Sequence, residues 1–135
     1  MMSKKCYEIL WEAAARNDIN AIKRVMVDID DISKENEYGW SAIIMAAYNQ
    51  NREVIELLLK NGANINSTNA KGTSVFMFGK TKSLHTGAYD FLDFLLLHGA
   101  DINARDKKKG WSVLQYVEEA GDIGMAEYLK KNGAE

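Results

Sequence analysis

The sequence predicts an all-α solenoid: stacked helix–turn–helix units with protruding β-turns. Three observations predict it. The segment Ile55-Glu56-Leu57-Leu58-Leu59-Lys60-Asn61-Gly62-Ala63-Asn64-Ile65-Asn66 returns 37 residues later as Leu92-Asp93-Phe94-Leu95-Leu96-Leu97-His98-Gly99-Ala100-Asp101-Ile102-Asn103, and fainter as Glu127 to Ala134. A second block, Gly39-Trp40-Ser41, returns as Gly72-Thr73-Ser74 and Gly110-Trp111-Ser112, at spacings of 33 and 38 residues. Each of these serines precedes an apolar-periodic stretch, where a hydroxyl can cap free helix amides. Repetition at such a period marks units that bury their apolar faces only by stacking on one another.

Taken in order, the units are expected at about 6–38, 39–71, 72–109 and 110–135, after a short tail, as one domain over 1–135. The first is degenerate: Ala13-Ala14 answers Ala46-Ala47, and Ile22 to Met26 answers the helix from Ile55 to Leu59. The second supplies the pattern. A short helix from Ala42 to Asn49 carries Ala46 and Ala47, small enough for close packing. A second helix, from Arg52 to Asn61, ends at Gly62, which suits a left-handed C-terminal residue. The stretch Ala63 to Lys71, rich in Asn, Ser and Thr, reads as an extended turn. The third unit is longer because four residues enter between its two blocks and one extra lysine lies near Lys107 to Lys109. In the fourth, Glu118 stands for Ala47 and Lys130 for Leu59, polar changes expected of a unit with no following neighbour. The stop at Ala134-Glu135 reads as the end of the array.

These residues resemble the ankyrin repeat family, whose 33-residue unit carries a T-P-L-H-x-A signature. The likeness covers about residues 6 to 135 and is most specific in Leu58 to Asn66 and its copy ending at Asn103. The signature itself is worn down to Ser41-Ala42-Ile43-Ile44, Ser74-Val75-Phe76-Met77 and Ser112-Val113-Leu114-Gln115. Serine keeps the cap, and losing proline forfeits only a preset backbone angle. Losing histidine removes a side chain that ties neighbouring turns in the family. The resemblance implies that a partner docks on the concave face made by turn tips and first helices. Carried over by position, that face offers Glu37, Tyr38 and Trp40, then Ala70, Lys71 and Thr73, then Lys108, Lys109 and Trp111 at the tips. The first helices add Arg16, Tyr48, Asn49 and Glu119.

Composition excludes several other classes. Hydrophobic residues make up 47% and charged residues 27%, as in folded chains, and the formal charge of −2 supplies no general basic field. One cysteine, Cys6, cannot form an internal disulfide, which favours a reducing, cytoplasmic setting. Glu8 and Glu12 interrupt the apolar residues that a secretory leader needs, and no apolar run reaches membrane-spanning length. Proline is absent, so turns rest on Gly, Asn, Asp and Ser.

Catalytic chemistry finds little support. Gly79-Lys80-Thr81 mimics the end of a phosphate-binding loop, but Ser74 stands where the first glycine belongs and bulky residues intervene. The repeat register moreover puts Gly79 and Lys80 inside a helix. His98 falls in the last turn of a helix and His85 in the insertion; with a single cysteine they form no metal or triad pattern. Asn66-Ser67-Thr68 matches a glycosylation sequon in a turn. No enzyme activity, cofactor or metal is therefore expected.

Local charge and aromatic placement carry more. Asp28 to Glu37 has a net charge of −4, whereas Lys71, Lys80, Lys82, Arg105 and Lys107 to Lys109 make the later turns basic. This is either scattered solvated charge or a bipolar groove that orients a partner. Trp40 and Trp111, just after turn glycines, either anchor a partner or lie across neighbouring turns, while Trp11 is expected in packing. The insertion Lys82 to Ala88 is either a tolerated loop or a partner-specific finger. The expected function is binding of another protein by a monomer without membrane attachment. An inhibitor or immunity-type protein that occludes an enzyme is an alternative. A binder of anions or nucleic acid through Lys71 and Lys107 to Lys109 is a second, though nucleic acid is the less expected partner.

Overall fold

The computed structural model describes residues 4–135, so the first three residues of the expected tail lie outside the described residues. Eight α-helices follow one another: α1 (Lys4–Arg16), α2 (Ile19–Met26), α3 (Ala42–Tyr48), α4 (Arg52–Lys60), α5 (Val75–Gly79), α6 (Asp90–Leu97), α7 (Val113–Glu119) and α8 (Ile123–Lys131). A single 3₁₀ turn, Thr81–Ser83, sits between α5 and α6. The helices pair as α1 with α2, α3 with α4, α5 with α6 and α7 with α8, and α1, α3 and α5 pack side by side as a first row with α2 and α4 behind them. The only extended pairings among the described residues are isolated bridges, Thr68 with Ser74 and Arg105 with Ser112, at the feet of two turns.

Local chemistry sets the helix ends. The Oγ of Ser41, Ser74 and Ser112 accepts from the N–H groups of Ile44, Met77 and Gln115 at 3.4, 3.2 and 3.4 Å. In α7 the Gln115 Oε1 also accepts from the Ser112 N–H, which completes a capping box. Gln115 occupies the histidine position of the worn signature. The second helices run one residue past their apolar repeat, to a cap at Asn61, His98 or Asn132. Gly62, Gly99 and Gly133 then take φ of +97°, +91° and +97°, where a side chain would be strained. His98 thus lies one position beyond the expected last turn, its Nδ1 2.9 Å from the Phe94 carbonyl.

The amphipathic second helices face inward with residues of matching register: Ile22 and Val25 in α2, Ile55 and Leu58 in α4, Leu92 and Leu95 in α6. Burying each such side chain is worth about 1.5–3 kcal/mol. The first row approaches closely where its residues are small. Ala13 and Ala14 of α1 and Ala46 and Ala47 of α3 are buried, and α3 packs on both α1 and α5. Gly79 continues the series: a Cβ there would stand 2.7 Å from Leu95 Cδ1 and 3.0 Å from the Phe91 ring. Gly79 closes α5 and Lys80 is its cap, so only the first of the pair is helical, and the chain continues into a 3₁₀ turn.

Polar side chains tie one unit to the next. Asn51 Nδ2 donates to the carbonyls of Ala14 and Ala15, and Gln50 Nε2 to the Gly79 carbonyl and Ser83 Oγ. Asn66 Nδ2 donates to the Gly99 carbonyl and its Oδ1 accepts from the Asp101 N–H, so a glycan on this sequon would crowd the link between two turns. Asn103 serves Gly133 and Glu135 in the same way. The insertion is a strap and not a projecting finger. Ser83 is buried, the His85 N–H donates to Asp122 at 2.5 Å, and the Tyr89 ring stacks on Tyr128 at 4.5 Å. Asp122 also caps α8 by accepting from the Met125 N–H.

Candidate protein-binding groove

Each turn tip is built on one side chain. Asn36 Oδ1 accepts from the N–H groups of Tyr38 and Trp40, and Asn69 Oδ1 from those of Lys71 and Thr73. Asp106 Oδ1 takes the same place in the longer third turn, accepting from Lys109 and Trp111. The extra lysine is therefore absorbed inside the bracket, and the chain on either side keeps its register. Neighbouring tips meet directly where the Lys107 N–H donates to the Lys71 carbonyl at 2.8 Å. These Asn and Asp brackets define the tips without the missing histidines.

Tips and first helices enclose two adjoining grooves. The first, of about 930 Å³, lies between α1, the loop at Lys34 to Tyr38, and Met45 of α3. Tyr7 forms its buried floor, with its hydroxyl donating to Asp30 at 2.5 Å and accepting from the Asp31 N–H. That bond to Asp30, with burial, raises the Tyr7 pKa above its ordinary value. Trp11 is half-buried in the wall, 5.9 Å from the Tyr7 ring, and its Nε1 donates to the Lys34 carbonyl. Glu8, Glu12, Arg16, Glu35 and Glu37 stand at the exposed rim.

The second groove, of about 470 Å³, lies between the tips at Gly39, Asn69 to Thr73, and Asp106 to Lys108, above Met77 and Phe78 of α5. Trp40 is half-buried there, 4.9 Å from Phe78 and edge-on to Tyr48 at 5.3 Å. Lys80 is partly buried in the wall, and that burial lowers its pKa. Asp106 accepts from the Tyr116 hydroxyl as well as its two amides. Burial pushes the Asp106 carboxyl up, but these hydrogen bonds outweigh it and leave the group below its ordinary value.

The expected residues divide accordingly. Glu37 and Tyr38 line the first groove, and Tyr38, Trp40, Lys71, Thr73 and Lys108 line the second, with Ala70. Tyr38 belongs to both and is 76% exposed. Arg16 lines the first groove as well, and the other five expected residues, Tyr48, Asn49, Lys109, Trp111 and Glu119, lie outside both linings. Tyr48 and Asn49 receive Lys82, whose Nζ stands 5.5 Å from the Tyr48 ring and donates to Asn49 Oδ1 at 3.2 Å. Lys109 covers the Trp111 ring at 4.5 Å, and that ring packs on Tyr116. Sequence reasoning missed Tyr7, Trp11, Met45, Phe78 and Tyr116 as groove residues, and reached Lys80 only through its charge. Helical register could have placed Tyr7, Trp11 and Ala15 on one face of α1, but the loop that meets them lies 23 residues away.

Residues 3–69 match the family model described as "Ankyrin repeats (3 copies)", and residues 83–107 match a second, "Ankyrin repeat". The chain belongs to the ankyrin repeat family. Ankyrin repeats are generally protein–protein interaction modules and typically non-enzymatic, and the structure is the family's all-α solenoid. Among curated proteins, the chain is 30% identical over 129 residues to the mitochondrial disaggregase of Bos taurus, across 93% of this chain and 18% of that protein. The Homo sapiens mitochondrial disaggregase is 31% identical over 57% of the chain and 11% of its own length. The ankyrin repeat protein FPV034 of fowlpox virus (strain NVSL) is 30% identical over 82% of the chain and 24% of its own length. The chain therefore spans less than a quarter of each of these relatives. No helix among the described residues is long and apolar enough to cross a membrane.

Proposed function

We propose that this ankyrin-repeat chain is a non-enzymatic interaction module that holds another protein along its concave face. The reading rests on the two adjoining grooves, which share one strongly exposed aromatic residue, Tyr38. An exposed aromatic between apolar-floored grooves matches the composition of binding hot spots. A useful interface would bury on the order of 1,600 Å² in total. The grooves hold their shape by fixed brackets at Asn36, Asn69 and Asp106, so binding loses little to loop ordering. Bound this way, the chain acts by scaffolding or by occlusion of its partner.

The test is affinity capture from the native cell with the intact chain and with Tyr38→Ala and Trp40→Ala. Each variant is expected to weaken its partner by more than about 2 kcal/mol. Tyr38→Ala should leave the melting temperature unchanged. Trp40→Ala should lose about 1 kcal/mol of stability, because its ring packs on Phe78 and Tyr48. Partners retained equally by both variants would refute docking on this face.

A further inference from the structure

The ionisable residues of the two grooves are sorted by sign. In the first, Glu12 is matched by Arg16 at 3.0 Å, which leaves Glu8, Glu35 and Glu37 around a single cation, Lys34. The Lys34 Nζ stands 4.9 Å from the Tyr7 ring centroid, so the chain's own side chain shows that an ammonium is accepted on this aromatic floor. The second groove presents Lys71, Lys80 and Lys108. Its one carboxylate, Asp106, already accepts from Tyr116, Lys109 and Trp111. None of the three lysine ammoniums is in an ion pair among the described residues. Tyr38 lines both grooves and marks where the sign changes.

We propose that the two grooves hold one extended, charge-bipolar segment of a partner protein. Its carboxylates sit over Lys71, Lys80 and Lys108, an apolar residue lies at Tyr38, and a basic residue enters among Glu8, Glu35 and Glu37. The inference rests on concave-face docking and adds the chemistry of what docks. Lys80 is the main anchor, since it is partly buried and a carboxylate there offsets an ammonium short of water. A nucleic-acid strand fits less well. Its charge has one sign throughout, so the portion in the first groove would face three carboxylates.

The test uses the whole chain and labelled synthetic peptides of about 15 residues, long enough when extended to cross both grooves. Two carry a glutamate block, an apolar centre and a lysine block in opposite orders; a third scrambles the same composition. One ordered peptide should bind about tenfold tighter than the scramble in fluorescence anisotropy at low salt. Amide shifts should fall around both Lys80 and Glu35. Lys80→Gln should weaken that peptide by about tenfold and Glu35→Gln by about threefold. Ordered peptides that bind no better than the scramble, or not at all up to about 1 mM, would overturn the proposal. So would a single-stranded oligonucleotide that competes with equal affinity. Concave docking itself would still stand if Tyr38→Ala loses the captured partner while both ordered peptides fail.

Discussion

The two halves of the solenoid are joined in different ways. From α1 to α5 the first-row helices carry Ala13, Ala14, Ala46, Ala47 and Gly79, all small and buried, with Gly79 set against Leu95 and Phe91 of α6. Beyond α5 the equivalent positions are Val117 and Glu118, and α5 and α7 do not approach with the same closeness. There, side-chain contacts add to the buried core: His85 N–H to Asp122, Tyr128 hydroxyl to Asp93 at 2.5 Å, and Tyr89 on Tyr128. Both halves share one apolar core, and the second adds directional contacts between its helices and loop. Errors between the first-row helices should therefore be most costly at the small positions of the first half. In the second half the directional contacts carry a cost of their own beside that of the core.

The sharpest challenge to this contrast is to exchange its residues. Ala47→Glu would bury an unpaired charge between α1, α3 and α5, and should cost more than about 4 kcal/mol in urea unfolding. Asp122→Ala comes next, at about 2 kcal/mol, because it removes the α8 cap and leaves the His85 N–H unpaired. Hydrogen exchange of that loop should quicken in the same variant. The N–H donors of His85 and Met125 hold the Asp122 carboxyl below its ordinary 3.8, so its contribution is complete above that value. It is lost as pH falls through the depressed native value, and Asp122→Asn should flatten that acid arm.

Tyr128→Phe should cost about 1 kcal/mol, since it gives up the bond to Asp93 but keeps the ring on Tyr89. Smallest of all is Glu118→Ala. Its ion pair with Lys130, at 3.5 Å between half-exposed side chains, should be worth less than about 0.5 kcal/mol. A large loss at Glu118, or a mild one at Ala47, would erase the distinction between the halves.

Much of the frame was legible because its signals are local. A serine before an apolar run, and a glycine after one, determine helix ends through atoms only a few residues apart, and both patterns held in every full unit. The extra lysine was legible as a count, and the Asp106 bracket shows where it goes. The grooves were only half legible. Tyr38, Trp40 and Lys71 sit at tips whose position follows from the repeat. Trp11 was assigned to packing because its own helix gives no sign of the loop at Lys34, which leaves the ring half in the wall and half open. Lys80 is legible by its charge but not by its place: the register puts it inside a helix, whereas it is the cap of α5 in the groove wall. The strap was missed because its partner, Asp122, lies 37 residues on and belongs to a different unit.

The bonds that Gln50, Asn51, Asn66, Asn103 and Asp122 make between neighbouring units each span 29 to 37 residues. Closing such a loop costs nearly the same entropy at every step, and no step has to wait for the far end of the chain. The order of assembly can therefore follow the order of synthesis. Asn51 finds Ala14 and Ala15 as soon as the second unit is made, Gln50 then donates to Ser83, Asp122 next closes on His85, and Asn103 reaches Gly133 last. The positively charged wall, completed by Lys108, would form after the aromatic floor at Tyr7 is already in place.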